Sequence, residues 1–597
     1  MEHQREDTFI GDLLLTFGWD EQNLTTRITG SRWKPVKKES NWKIWTVETN
    51  ENWKGFPLKF FSTEYYSVWL MGELYGKPSE SFSNLTKFHD EEMVRLNGHF
   101  FLMAWDKHNH KWHILTDRFG TFHAYYSKDG QQAAIGTFAP AVAAVASHRK
   151  LDWLGLAGFF SFGFFPQDRT YFDDLRILKP ASHYILDEKG RLMEEKRYWR
   201  WWHKPNLQRS YDDTVVEFDH IINKVISEET FNGRVAIPIS GGLDSRSIVA
   251  AASQTKEGKS LSSSLWSYSY GYNDDSIETC IARKIASARN LSFQAFTIQP
   301  YLFDRLDLIM SSVEGFQDIT QCRQAAVTDE IASHADYLIA GHWGDVWLDD
   351  IGLVNNRSQK LDNDYIFSHA FKKIRKSGRT WLLENICLPQ LRRENPETLL
   401  NQMMEKEMAT LQHIEDPDFR VKAFKTDQHA FRWTLASLRM FQPAAFPRLP
   451  FYDTRMADFF CTVPSKFLRK RQLQIDFLKR FAPDLAKITW QAYDTDLFKY
   501  QHFNSWLLPK RASKKAWRIL MRKQVFERNW EVQFMGTEGR QGLNYWLLRA
   551  GLRLHEFVSP QKVGILLDSF YNAPLEQGRG YTVCMLLTFS VWLEKYG

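Results

Sequence analysis

Cysteine is scarce in this chain, with five among 597 residues. Cys280, Cys322, Cys387, Cys461 and Cys584 are odd in number, far apart and without a Cys-x-x-Cys pair. That excludes a disulfide framework and a thiolate zinc site, and it favours a reducing compartment. Long apolar runs are missing as well. The most apolar late stretch, Val583 to Leu593, falls far short of the roughly 20 residues that a membrane span needs. The opening Met-Glu-His-Gln-Arg-Glu-Asp is unlike a signal peptide. No membrane span is expected, and a cytoplasmic location is. Neither charge sign dominates, since the net charge is only +6. The runs Lys372-Lys373-Ile374-Arg375-Lys376 and Lys510-Arg511-Ala512-Ser513-Lys514-Lys515 read as solvated helix faces rather than a nucleic-acid surface. The second run leaves an acidic substrate or a membrane surface open. No internal repeat or low-complexity tract is present.

What the chain does have is length and aromatic content. Its length exceeds what one core can organise, so two or three domains are expected. Aromatic residues make up 15%, with 23 Trp and 44 Phe, which suggests large cores. Up to about residue 200, short alternating runs such as Tyr66–Met71, Gly98–Trp105 and Trp112–Thr116 alternate with turn clusters like Lys107-His108-Asn109-His110. These predict layers of antiparallel sheet. A connector, His203-Lys204-Pro205-Asn206, closes that part. From about 210 to 345 helix and strand alternate: helix Tyr211–Glu228, strand Val235–Ile239, helix 243–253, strand Leu261–Ser269, helix Ser276–Ala288, strand Leu291–Thr297, helix Cys322–His334 and strand Tyr337–Ala340. That order predicts a parallel, doubly wound sheet with its ligand beyond the C-terminal strand ends. The remainder reads as helical.

One run carries most of the functional information. Strand Val235–Ile239 enters Ser240-Gly241-Gly242-Leu243-Asp244-Ser245, and the helical stretch Ile248-Val249-Ala250-Ala251-Ala252 comes next. A strand that breaks at two glycines and opens a helix aims backbone N–H groups and the helix dipole at an anion. The glycines permit close approach, and Ser240 and Ser245 add donors. Asp244 would repel phosphate unless a divalent cation lies between them, so the turn suggests a nucleotide–Mg²⁺ site. It lacks the Gly-Lys-Ser/Thr ending of a Walker loop, and it resembles the SGGxDS pyrophosphate loop of the ATP pyrophosphatase superfamily. A second carboxylate is expected at another strand end. Tyr337–Ala340 runs into Gly341-His342-Trp343-Gly344-Asp345, and Asp244 with Asp345 is the simplest Mg²⁺ clamp on offer.

On these motifs the chain resembles the asparagine synthetase family over most of its length. Leu96–Phe100 and Asp117-Arg118-Phe119-Gly120 with Tyr125-Tyr126 are similar to that family's N-terminal amidotransferase domain. Ser240–Ser245 is similar to its pyrophosphate loop, Ala340–Asp345 to its SGxGxD turn, and Arg448-Leu449-Pro450-Phe451-Tyr452-Asp453 to its RxPFxD segment. The resemblance implies ATP and Mg²⁺ as cofactors, held by Ser240, Gly241, Gly242, Asp244, Ser245, Gly341 and Asp345. It also implies activation of a carboxylate as its acyl-adenylate and attack by a nitrogen nucleophile.

The departures matter equally. Glutamine-hydrolysing members use an N-terminal cysteine freed by removal of Met1. Here residue 2 is Glu, and no cysteine precedes Cys280. The family's Asn-Gly-Glu appears as Met71-Gly72-Glu73, and Met cannot donate the oxyanion hydrogen bond. At the variable position of the SGxGxD turn stands His342, whose ordinary pKa suits a general base; a histidine that merely fills the turn is the alternative. The family's lysine after the RxPFxD helix has no clear counterpart in Trp490-Gln491-Ala492-Tyr493, with Lys487 and Lys499 nearby.

The sequence therefore predicts an α+β, layered antiparallel domain over 1–205 with an inactive glutaminase site. After it comes an α/β, doubly wound ATP pyrophosphatase-type domain over 206–597, with a large helical C-terminal extension. The function expected is amide formation from a small-molecule, peptide or glycan carboxylate and ammonia or a substrate amine. A catalytically silent nucleotide-binding protein and a glutamine-hydrolysing enzyme remain as alternatives, and a homodimer is left open. Neither a nucleic-acid partner nor a membrane span is expected.

Overall fold

In the computed structural model, two antiparallel sheets occupy the chain before residue 198. The structure describes residues 8–10, 12–19, 33–47, 57–76, 88–144, 149–253, 265–273, 276–353, 361–388, 394–502, 528–576 and 578–597. Glu2 and the run Lys510–Lys515 lie outside these residues. The first sheet has seven strands in the order Thr8–Ile10, Pro57–Ser62, Tyr66–Leu74, Gly98–Asp106, Lys111–Thr116, Ser182–Asp187 and Leu192–Arg197. The second has six, in the order Leu175–Ile177, Tyr125–Asp129, Gln132–Gly136, Leu13–Phe17, Trp42–Val47 and Trp33–Lys38. Alternation along each strand sorts the side chains. Leu13, Leu15 and Phe17 join Trp69, Met71, Phe101 and Met103 in one core, whereas Leu14, Leu70, Phe100 and Leu102 belong to another. Apolar residues at both parities mean that both sheet faces are covered. The turn after Gly98–Asp106 is tied by Asp106, whose carboxylate accepts the His108 and Asn109 amides at 3.0 and 2.9 Å.

Five parallel strands form the third sheet: β1 Val235–Pro238, β2 Leu265–Gly271, β3 Ser292–Thr297, β4 Tyr337–Ile339 and β5 Phe446–Arg448. Their spatial order is β3-β2-β1-β4-β5, so the order reverses between β1 and β4. In such a sheet the crevice outside the C-terminal ends of the two strands flanking the reversal receives the ligand. Five helices matter for the site and its surroundings: α1 Tyr211–Glu229, α2 Asp244–Ala252, α3 Ile277–Ala288, α4 Asn363–Ile374 and α5 Pro417–Lys425. Ser210 caps α1 by accepting the Asp213 amide at 3.0 Å. The helix buries Val215, Phe218, Ile222, Val225 and Ile226 at helical spacing. Helix α5 passes directly into a π-helix, Thr426–Thr434. The last helix, α6 Arg579–Tyr596, is buried nearly all round. Its Trp592 stacks on Tyr171 at 3.7 Å and joins it to the antiparallel part. No helix among the described residues is long and apolar enough to cross a membrane.

The expected layers and the expected sheet are present, with three differences. β5 lies in the part expected to be mostly helical; Pro447 at its centre lacks an N–H, which an edge position such as this tolerates. The stretch 322–334 is not one helix but a 3₁₀ turn, Arg323–Val327, followed by a helix, Thr328–His334. The start expected for β2 at Leu261 falls outside the described residues.

Candidate functional site

The glycine turn is built as its residue types require. Ile239 continues the ladder by donating to the Tyr268 carbonyl at 2.8 Å, and the chain then leaves the sheet. The Ser245 hydroxyl, in the first turn of α2, accepts the Ser240 amide at 3.0 Å and lies 3.1 Å from the Ser240 hydroxyl. The Ser240 hydroxyl in turn accepts the Gly242 amide at 3.2 Å. Both serines therefore shape the loop. Amides in the first turn of a helix have no intrahelical acceptor, and those of α2 lie at the crevice end of the sheet. Gly241 is required by crowding: a Cβ there would lie 2.3 Å from the Gln491 side-chain oxygen.

The second turn abuts the first. A Cβ on Gly344 would lie 2.9 Å from Asp244 Oδ1, and one on Gly341 would lie 3.5 Å from the Ser245 amide nitrogen. Trp343 takes φ +74 to make this turn, a conformation uncommon for a bulky residue. Asp345 opens a short helix, Gly344–Trp347, and is exposed. The two carboxylates sense one another. Burial raises the pKa of Asp244, Asp345 raises it further, and Arg471 and Gln474 oppose the rise. The Arg471 guanidinium contacts Asp244, and Gln474 Nε2 donates to it at 3.0 Å. An all-oxygen pair with one inward-facing member suits a hard divalent cation. In this structure Arg471 supplies the counter-charge.

His342 stands at the mouth of the second turn. Its Nδ1 is buried without a partner among the described residues. Burial lowers its pKa to about 4, against an opposing pull from Asp345. The ordinary value near 6.5 assumed from sequence is therefore not the value in this setting, and the ring is neutral at pH 7. In the stretch expected to hold a lysine, Gln491 packs on Gly241, while Lys499 pairs with Asp496 at 3.1 Å.

Sequence reasoning missed several residues that gather here. Arg246 anchors the turn from behind, donating to the Leu485, Ile488 and Thr489 carbonyls at 3.2, 2.9 and 2.8 Å. Arg323 is electrostatically coupled to His342, and Lys425 to Asp345. Only the fold brings them together.

The residues that resemble a glutaminase pocket are bonded across to the parallel-sheet part. Arg448 donates to both oxygens of Glu73, at 2.8 and 2.9 Å. Asn97 donates to Asp453 at 2.9 Å and accepts the Thr454 amide at 3.0 Å. His99 Nε2 accepts the Leu449 amide at 3.1 Å, and Arg118 donates to Asp458 at 2.6 Å. Asp117 is a buried turn anchor that accepts the amides of Phe100, Phe119 and Thr121. Met71 is fully buried.

Antiparallel layers bonded to a parallel sheet with a glycine turn at its reversal define an amidotransferase-type domain joined to an α/β domain. Residues 83–199 match the glutamine amidotransferase domain family. The chain is 23% identical over 262 residues to the glutamine-hydrolyzing asparagine synthetase 1 of Bacillus subtilis (strain 168), covering 43% of this chain and 40% of that protein. It is 28% identical over 199 residues to the glutamine-hydrolyzing asparagine synthetase 3 of the same organism, covering 32% and 31%. The chain thus spans well under half the length of either relative. A solved glutamine phosphoribosylpyrophosphate amidotransferase of B. subtilis shares 10% identity, covers 50% of this chain and 70% of its own, and has a TM-score of 0.20; no argument rests on it. Over these stretches the chain is similar to asparagine synthetases, and the match to the amidotransferase domain lies toward its N-terminus.

Proposed function

We propose that the protein is an ATP-dependent amide-forming ligase that does not hydrolyse glutamine. The observation that carries this is the meeting of two turns, Ser240–Ser245 and Gly341–Asp345, at the point where the strand order reverses. The first turn offers the first-turn amides of α2 to a phosphate chain, and Asp244 with Asp345 offers the oxygen ligands for Mg²⁺. When bound, Mg²⁺ would neutralise phosphate charge between the two carboxylates. The reaction is attack of a substrate carboxylate oxygen on the α-phosphorus, with pyrophosphate leaving. A nitrogen nucleophile then attacks the acyl carbon, AMP leaves, and the nitrogen loses a proton. In this reading His342, neutral at pH 7 and with Nδ1 unpartnered among the described residues, accepts that proton as a weak base, its pKa being lowered to about 4.

The absence of glutaminase activity rests on three supports: a domain without cysteine, Met71 in place of an oxyanion donor, and Glu73 engaged by Arg448. ATP–pyrophosphate exchange over a panel of carboxylates tests the proposal. Exchange dependent on one acid supports it, and glutamate release from glutamine should stay at background. A silent nucleotide-binding protein is the second reading, favoured by Gln491 where the resemblance calls for lysine. Tight ATP binding with no exchange for any acid would establish that reading instead.

A further inference from the structure

Buried ammonium groups need counter-charges, because an unpaired ion in a low-dielectric setting is costly. Two half-buried lysines stand in neighbouring places, each within electrostatic reach of one carboxylate, Asp345 for Lys425 and Asp318 for Lys376. Lys425 ends α5 beside Asp345, with its Nζ 5.6 Å from the Trp343 ring centroid. Lys376 runs inward past Gly163, its Cε within contact distance of the position a Cβ would take there. Both side chains are half-buried, and neither ammonium makes a hydrogen bond or an ion pair among the described residues. Burial pushes both ammonium pKa values down.

One imidazole senses both lysines. His429 is electrostatically coupled to both lysines, and its Nδ1 is buried without a partner among the described residues. Its ring stacks between Trp343 at 5.6 Å and Trp433 at 5.3 Å. His429 lies in the π-helix Thr426–Thr434, and this wider winding recurs at functional sites. His429 is therefore within electrostatic reach of both lysines.

Lys376 also lines a surface groove of about 640 Å³, within the range of small-molecule sites. Lys372, Arg375 and Arg379 line it too, with Asp364 and Glu405 as the acidic members. Its floor is Phe371, over which the Arg375 guanidinium lies at 4.3 Å. Asn401 and Glu397 hold the two arginines in place, at 2.7 Å from Arg375 and 2.8 Å from Arg379. Among the described residues, the Lys372 and Lys376 ammonium groups have no such partner.

We infer that this groove forms a subsite for a multiply charged carboxylate. Its carboxylates sit against Lys372, Arg375 and Lys376. That this ligand is the acid to be activated rests on the ligase reading above; its binding does not.

Calorimetric titration with citrate, with acetate and inorganic phosphate as controls, tests the inference without ATP. Citrate should bind more tightly than either control, and more weakly as salt rises from about 50 to 200 mM. Lys376→Gln should weaken citrate about tenfold or more, Lys376→Arg should restore binding to within about threefold, and ATP–Mg²⁺ affinity should stay unchanged in both. The salt series on the unaltered protein and Lys376→Arg cover the case in which Lys376→Gln does not fold. Phosphate or acetate binding as tightly as citrate overturns the inference. So does citrate displaced competitively by ATP, or citrate affinity unchanged in Lys376→Gln. If citrate binds as expected but no acid supports exchange, the ligase reading fails and the subsite stands. If exchange occurs but citrate fails these tests, the reverse holds.

Discussion

Replacing Glu73 with glutamine should loosen the joint between the antiparallel part and β5. Glu73 is 16% exposed and Arg448 3%, with the two hydrogen bonds between them at 2.8 and 2.9 Å. An exposed pair of this kind contributes about 0–1 kcal/mol, and orphaning a fully buried charge costs about 3–5 kcal/mol. Arg448 would not be fully orphaned. It keeps Asn232 at 3.0 Å, the Glu229 carbonyl and the Tyr337 ring at 3.4 Å. The amide oxygen introduced by Glu73→Gln could also still accept one hydrogen bond. The expected loss is therefore about 2–3 kcal/mol, between the two limits. Urea unfolding followed by tryptophan fluorescence measures it for Glu73→Gln, Arg448→Met and the double variant. The cycle should give a coupling of about 1.5 kcal/mol or more. A coupling below about 0.5 kcal/mol would mean that the pair is incidental to the joint and that the motif residues are not spent on docking.

Gly344→Ala forces a methyl group to 2.9 Å from Asp244 Oδ1 and 2.7 Å from the Phe451 ring. It should cost about 1–3 kcal/mol of stability and weaken ATP–Mg²⁺ about tenfold by calorimetry; unchanged affinity would detach the second turn from the site. His342→Ala should spare ATP–pyrophosphate exchange and slow amide formation about tenfold or more; a parallel fall in both would make it a shaping residue. His113 and His183, with ring nitrogens 2.9 Å apart, are held neutral by burial, which lowers their pKa values to about 4 and about 3. Asp106 and Asp90 pull these values up, and Lys111 and Lys196 push them down. Because the folded values lie below the ordinary 6.5, the pair's contribution is complete above pH 6.5 and is lost as pH falls through about 4. His183→Gln should flatten the acid limb of stability against pH, measured by urea midpoints from about pH 7 to 4, and an unaltered slope would contradict that assignment.

The parts of the site that were legible in the sequence were those whose chemistry is local. Ser240–Ser245 declares itself because a strand, two glycines and a helix start fall within a few residues. Asp345 was found because its turn repeats that logic at another strand end. Lys425 and Arg471 were not, and Gln491 was seen without its contact to Gly241, since each comes from a different segment and is brought in only by tertiary packing. The run Lys372–Lys376 reads as a solvated face, which holds for exposed Lys372 but less so for half-buried Lys376 beside Gly163. β5 escaped because three residues centred on proline carry no strand signal of their own. His342 lies in the turn after β4, and its lowered pKa depends on a burial that no spacing reveals.

The Glu73–Arg448 joint also has a history within each molecule. Glu73 and Asn97 emerge from the ribosome early, and Arg448 is made 375 residues after Glu73, with Asp453 and Thr454 close behind. At about 5–20 residues per second that interval is about 20–80 s. Throughout it the first-made layers present a docking face with nothing to dock on, and β4, once made, waits with an open edge for the strand that will close it. Completion of this fold is thus timed by synthesis, and the nascent chain is most exposed to mispairing just before β5 is made.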